Sequence, residues 1–267
     1  TEQTITPMGL AGAGMTHVVS VGKDVTQLRR AAERETTLLL ARSVQQRLFP
    51  ASPPAVPGFD VFGATFVADM TGGDYHDFIP LRGDHLGIVV ADVSGHGVDS
   101  ALLMAETRAV LRATVETAAA PSEILTVVNR VLHADTEAHR FATLLLVVLH
   151  VPSGSLSYAS AGHPSGYLLD GRGAVRGTLP ATGLPLGLFP ASTYETRLAP
   201  TMQPGDSLLL LTDGVTDCGP PDEELFGVER ALEVLRARPG ARSLDVVDGL
   251  FRSVRAFERG GAQREDV

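Results

Sequence analysis

Four aspartates stand in turns beside strand-like runs or at the chain end: Asp74, Asp92, Asp213 and Asp266. Asp74 follows Gly72-Gly73. Asp92 follows the apolar run Leu86-Gly-Ile-Val-Val-Ala91, and Asp213 follows Leu208-Leu-Leu-Leu-Thr212. Asp266 is the penultimate residue. A carboxylate at the end of a buried strand is held rigidly and still reaches an open edge. Carboxylates with no cysteine set and no histidine pair at zinc spacing favour a hard cation such as Mg²⁺ or Mn²⁺. Several carboxylates brought together repel one another unless metal neutralises them. Two such ions can share a water, lower its pKa and clamp a phosphoryl group, so the chemistry in reach is phosphate-ester hydrolysis. Spacing alone does not make the four meet. Taken singly, each also reads as a helix cap or a turn aspartate.

The elements around these residues follow from local pattern. After Asp92 comes Val93-Ser-Gly-His96-Gly97, a two-glycine turn, and then helical spacing over 99–118 and 122–133, with Pro121 opening the second helix. His96 lies four residues past Asp92; it can protonate a leaving alkoxide or steady the turn. His163, before Pro164, reads as a structural histidine. Residues 59–68, 77–81, 86–91, 141–151, 155–161, 167–169, 174–178, 194–198 and 207–212 read as strands, with hairpin signals such as Arg82-Gly83-Asp84 between them. Helices over 228–236 and 244–258 follow, the latter capped by Ser243. Strands, a helix pair, strands again and then helices specify α+β, with mainly antiparallel sheets.

The N-terminal part is different. Residues 1–15 are small and polar, which predicts little order, and His17–Gly22 reads as a short strand. Residues 26–49 carry no Gly or Pro and end at Pro50, so they read as a helix. Ala31, Leu38, Ala41 and Leu48 form one narrow apolar stripe on it. Such a stripe either pairs with a second copy, giving a homodimer, or packs on its own domain. Ala51-Ser-Pro-Pro-Ala-Val-Pro-Gly58 is a linker by composition, so the expected division is 1–25 arm, 26–50 linker helix and 51–267 main domain.

The totals set bounds. With 31 acidic and 22 basic side chains the net charge is −9, which disfavours nucleic acid and anionic membranes as partners. No apolar run in this segment reaches the roughly 18–20 residues that span a bilayer. The single cysteine, Cys218, excludes an internal disulfide and a cysteine-based zinc site, and fits a cytoplasmic location.

Gly-Gly-Asp74-Tyr, Asp92-Val-Ser-Gly-His-Gly97, Phe141-Ala-Thr143, Ala161-Gly-His-Pro164, Thr212-Asp-Gly214 and Glu265-Asp266 occur here in a telling order. Together they resemble the SpoIIE/RsbU-type branch of the metal-dependent, 2C-type (PPM) protein phosphatases, over residues 41–267. Gln46-Arg-Leu-Phe-Pro50 resembles the helix end that precedes such domains. His17–Thr26 resembles the last strand and exit of a PAS sensor.

The resemblance implies an α-β-β-α sandwich with two Mn²⁺ or Mg²⁺ ions at one sheet edge. Asp92 would bridge them, helped by the carbonyl of Val93, and Asp74, Asp213 and Asp266 would complete the set. Metal-bound hydroxide would attack phosphoserine or phosphothreonine on a STAS-type anti-anti-sigma factor. Two departures stand out. His76 occupies a position that is often aromatic. The family pattern continues past its last Asp into a final strand, whereas this chain stops at Val267, so the domain is expected to lack that strand.

Overall fold

The computed structural model describes residues 2–8, 17–23, 26–66, 71–118, 120–135, 140–219 and 224–258, the first two segments as backbone only. Glu265 and Asp266 lie outside the described residues, as does the end of the expected 59–68 strand.

The central layer is a five-stranded antiparallel sheet in the order β3-β4-β5-β6-β9. It comprises β3 (Tyr75–Leu81), β4 (His85–Val93), β5 (Ala142–His150), β6 (Ser155–Ala161) and β9 (Arg197–Ala199). A three-stranded sheet, β10-β7-β8, uses β7 (Gly166–Leu169), β8 (Val175–Leu179) and β10 (Ser207–Leu209). Helices α2 (Val98–Thr114) and α3 (Pro121–Asp135) cover the outer face of the large sheet. Helices α4 (Asp213–Thr216), α5 (Gly227–Arg236) and α6 (Ser243–Phe257) cover the small one. The result is the expected α-β-β-α sandwich.

Strand β5 shows how the layers are built. Leu144, Leu146 and Val148 point at α2 and α3, where they meet Met104, Leu111, Ile124 and Val128. Leu145, Val147 and Leu149 point the other way, into the core between the sheets with Leu86, Leu156 and Leu179. A strand buried on both faces needs a continuous apolar run, and 144–149 supplies one. Each such Leu or Val contributes about 1.5–3 kcal/mol by leaving water.

One buried ion pair fixes α2 on β3. Asp77 is fully buried, and Arg112 of α2 grips it with Nε at 2.7 Å and Nη2 at 2.6 Å. The Phe78 N–H donates to the same carboxylate at 2.9 Å, and so does the Tyr75 hydroxyl. Burial, then the Asp77 charge, push the Tyr75 phenol well above its ordinary pKa, so it remains a donor. Fork-to-fork geometry fixes direction as well as contact, so α2 has one seat on the sheet.

Helix α1 (Thr26–Gln46) is exposed along most of its length, with Leu28, Leu39, Leu40 and Val44 open to solvent. Among the described residues it docks at its C-terminal end, through buried Gln45 and through Leu48 and Phe49 just beyond it, which pack on the α2–α3 core.

Two expected strands are shorter than the pattern suggests, β9 starting at Arg197 rather than 194 and β10 ending at Leu209 rather than 212; three other local expectations change as well. Residues 60–66 run as irregular chain rather than strand; just before them Phe59 forms a single antiparallel bridge with Val56. There Asp60 does another job: its carboxylate accepts the Ser243 N–H at 2.6 Å. Ser243 is therefore the first residue of α6 and not its cap. Finally, β1 (Glu2–Met8) pairs antiparallel with β2 (His17–Lys23), so part of the 1–15 stretch is ordered.

Candidate metal centre

Asp92 is the penultimate residue of β4, directly opposite Thr143 of β5. The chain then turns sharply. Gly95 (φ 92°) and Gly97 (φ 81°) take left-handed conformations that only glycine adopts cheaply. Gly97 also occupies the cap position of α2, where no side chain competes for the helix N-terminus.

Asp74 lies immediately before β3 and is only 3% exposed. Its Oδ2 accepts the Thr212 hydroxyl at 2.8 Å. Thr212 precedes Asp213, the first residue of α4, so this bond joins the Asp74 turn to the Asp213 turn across the sandwich. A side chain on Gly73 would place its Cβ 2.4 Å from the Val93 carbonyl oxygen. The Asp74 turn therefore rests directly on the carbonyl next to Asp92, and only glycine permits that approach. These contacts bring the turns carrying Asp74, Asp92–Val93 and Asp213 to one edge.

Below that edge runs a buried bridge between the sheets. His163, 3% exposed, meets the Thr143 hydroxyl at Nδ1 (2.8 Å) and the Leu211 carbonyl at Nε2 (3.1 Å). Burial lowers its pKa to about 4, so the ring is neutral at pH 7. A carbonyl can only accept. The proton therefore sits on Nε2, and the Thr143 hydroxyl donates to Nδ1. The bridge ties the strand position opposite Asp92 to the residue two before Asp213.

From the other side, Gln45 of α1 holds the Gly72 backbone. Its Nε2 donates to the Gly72 carbonyl at 2.6 Å, and its Oε1 accepts the Gly72 N–H at 3.2 Å. His76 stacks on Phe49 at 5.6 Å and meets Phe78 edge-on at 6.0 Å, with Thr65 at Nδ1 (2.9 Å). Burial lowers its pKa to about 4. A neutral, stacked imidazole fills the aromatic slot that the sequence expectation assigned to this position.

His96 is exposed and its ring makes no hydrogen bond among the described residues. Ser94 and Phe141 exchange two bonds, Ser94 N–H to the Phe141 carbonyl (2.9 Å) and Phe141 N–H to Ser94 Oγ (3.0 Å). They set Arg140 beside the start of α2, where it pairs with Asp99 at 2.8 Å. Cys218 is half-buried and donates to the Val215 carbonyl, a passive position.

The donors on this edge, carboxylates and one peptide carbonyl, are all oxygen, the set that hard divalent cations take. The Asp213 carboxyl is raised by burial and then by the Asp217 charge, a strain that a bound cation would relieve. Among the described residues, no three His, Cys, Asp or Glu side chains stand close enough together to hold an ion by themselves.

Sequence reasoning missed Gln45, Thr212 and the role of Gly73. Gln45 carried a signal: it sits between Ala41 and Leu48 at stripe spacing, a polar residue on the buried face. Thr212 stood out only as the start of Thr212-Asp-Gly214, and nothing pointed to its partner 138 residues away.

Residues 82–267 match the family described as Stage II sporulation protein E (SpoIIE). Protein IcfG of Synechocystis sp. is 29% identical over 253 residues, 85% of this chain and 39% of that protein. Phosphoserine phosphatase RsbU of Bacillus subtilis is 30% identical over 186 residues, 70% of this chain and 55% of that protein. The chain thus spans about half or less of the length of these curated relatives. Among solved structures, the SiaA-PP2C domain of Pseudomonas aeruginosa superposes with a TM-score of 0.75 at 22% identity, covering 91% of this chain and 96% of that one. The RsbU and RsbW domains of a Mycobacterium tuberculosis protein give 0.57 at 28% identity, covering 73% and 53%.

Proposed function

The chain belongs to the SpoIIE family, and from that premise we propose that residues 51–267 hydrolyse phosphoserine or phosphothreonine on a regulatory protein. The substrate we infer is a phosphorylated STAS-type anti-anti-sigma factor in a partner-switching pathway. One relative is named a phosphoserine phosphatase, and another structure joins RsbU and RsbW domains. The observation that carries the reading is the Thr212–Asp74 bond, with Gly73 seated on the Val93 carbonyl. It draws acidic turns from distant parts of the chain to one edge.

In this proposal Asp74, Asp92, Asp213, Asp266 and the Val93 carbonyl hold two Mn²⁺ or Mg²⁺ ions. When bound, the ions supply an acidified water and a clamp on the phosphoryl oxygens. The protein supplies position. Asp92 rides on a strand locked between two others, Thr212 orients Asp74, and Gln45 steadies the turn before it. His96, unengaged four residues past Asp92, gives a proton to the departing seryl or threonyl oxygen.

The remaining assignments belong to the same proposal. Residues 1–25 are an arm, the end of a PAS-like sensor, and residues 26–50 are a linker helix that dimerises. The protein works in the cytoplasm. No helix among the described residues is long and apolar enough to cross a membrane. Leu38→Glu should then make the protein monomeric in sedimentation; an unchanged mass removes the dimer.

The test is phosphate release from a phosphorylated STAS protein with and without Mn²⁺, run beside a generic aryl phosphate. Metal-stimulated turnover of the phosphoprotein is expected. Equal or better turnover of the aryl phosphate would point to a small-molecule phosphatase. A second reading, a non-catalytic interaction module, is favoured by one observation: no three ligand side chains among the described residues cluster tightly. Calorimetric titration with Mn²⁺ separates the two, since a module binds none above background.

A further inference from the structure

At the end of the central sheet opposite the acidic edge, two histidines face each other. His85 opens β4 and His150 closes β5, and they are direct cross-strand partners. Their ring centroids are 4.6 Å apart, with the planes tilted by 42°. Asp92 lies seven positions along β4 from His85, about 23 Å at strand rise. This pair is therefore remote from the acidic edge.

Each ring has its Nδ1 occupied by a local acceptor. His85 Nδ1 lies 3.0 Å from the Arg82 carbonyl. A carbonyl only accepts, so the neutral ring carries its proton on Nδ1 and leaves a lone pair on Nε2. His150 Nδ1 lies 2.7 Å from Ser153 Oγ. Ser153 Oγ meets Ser155 Oγ at 3.0 Å and takes the Ser155 N–H at 3.3 Å; with its own hydrogen turned to Ser155 Oγ it accepts from His150 Nδ1–H. The second lone pair is again on Nε2. Neither Nε2 has a hydrogen-bond partner among the described residues. Both rings are half-buried and reachable from solvent.

Metal-binding histidines characteristically donate the other ring nitrogen to a carbonyl or hydroxyl, which fixes tautomer and orientation. The separation also fits. Two imidazole nitrogens meeting one cation at ~2.1 Å, at an angle between right and tetrahedral, put the ring centroids about 4.5–5.2 Å apart. The frame is stiff, because the Val151 N–H donates to the Asp84 carbonyl at 2.9 Å and ties the β3–β4 turn to the end of β5.

We propose that His85 and His150 form a two-imidazole site for a borderline transition-metal cation, Zn²⁺, Ni²⁺ or Cu²⁺, with solvent completing the coordination. Imidazole favours these ions over Mg²⁺ or Mn²⁺, so the two ends of the sheet differ in metal chemistry. A cation held by adjacent strands binds the folded chain better than the unfolded one and raises its stability.

The experiment uses tag-free protein carrying Asp74→Asn and Asp92→Asn, which disables the acidic edge. Titration with ZnCl₂ or NiCl₂ is followed by calorimetry and by thermal unfolding. Copper is followed by electron paramagnetic resonance. One saturable site, a raised unfolding temperature and nitrogen couplings from two imidazoles are expected. His85→Gln or His150→Gln should abolish the site. Ser153→Ala, which leaves both rings in place, should weaken it about tenfold. Absence of saturable binding, or binding that survives the double His→Gln substitution, overturns the proposal. Should either His→Gln variant fail to fold, unchanged affinity in Ser153→Ala overturns it instead.

Discussion

Gln45 holds Gly72 by both its backbone groups, donating to the carbonyl at 2.6 Å and accepting from the N–H at 3.2 Å. The linker helix and the Gly72-Gly73-Asp74 turn thus share one buried amide contact. Gln45→Ala leaves a buried peptide donor and acceptor without partners, at a cost of about 1–3 kcal/mol each. Urea unfolding should show that loss. Calorimetry should show Mn²⁺ affinity weakened about tenfold, as expected when a ligand's support is removed. Unchanged Mn²⁺ affinity would mean that the turn keeps its shape without the helix.

Asp92→Asn should eliminate Mn²⁺-stimulated turnover, by more than about a hundredfold, because a ligand matters more than its supports. Circular dichroism should be unchanged. Normal turnover of this variant in metal-free buffer would sink the mechanism.

Thr212→Val keeps the shape of the side chain and deletes the hydroxyl that meets Asp74. A hydrogen bond to a charged group is worth about 1.5–3 kcal/mol. Stability should fall by that amount, and phosphate release should slow. A Thr212→Ser variant retains the hydroxyl and should recover most of both.

Gly73→Ala drives a methyl group to 2.4 Å from the Val93 carbonyl oxygen. The turn and the strand end must separate, at a cost of about 1–3 kcal/mol. Loss of Mn²⁺ binding with the fold retained is the expected pattern. Full metal affinity in this variant would remove Val93 from the ligand set.

Stability should depend on His163 in mild acid. Its folded pKa, about 4, is below the ordinary 6.5. As pH falls, the unfolded chain takes up the proton first. Stability present above about 6.5 is therefore lost on the way down to 4, by up to about 3 kcal/mol. Urea midpoints at pH 7.5 and 5 measure this, and His163→Gln should reduce the difference between them.

Much of this molecule was legible in its residues. The apolar run 141–151 announced a strand, and the glycines around Asp92 announced a sharp turn. What alternation could not reveal was a partner. Residues 59–66 have the rhythm of a strand, yet beyond the bridge at Phe59 the described chain there runs as irregular coil, and Asp60 instead closes the start of α6. Rhythm selects a face; only a neighbouring edge makes a strand. The site was half legible for the same reason. Asp74, Asp92 and Asp213 were marked by local turns. Gln45, Thr212 and His163 act on residues 20 to 138 positions away, and nothing local points to such partners.

Because β5 belongs to both cores, its amides cannot exchange with solvent while either layer remains closed. The peptide hydrogens of 144–149 should be among the slowest to exchange, with a free energy equal to that of unfolding the whole sandwich. Thr143, opposite Asp92, adjoins that slowest segment. The acidic edge is thereby anchored to the last part of the protein to open, while the exposed first half of α1, residues 26–37, can open and close many times as long as Gln45 keeps its hold on Gly72.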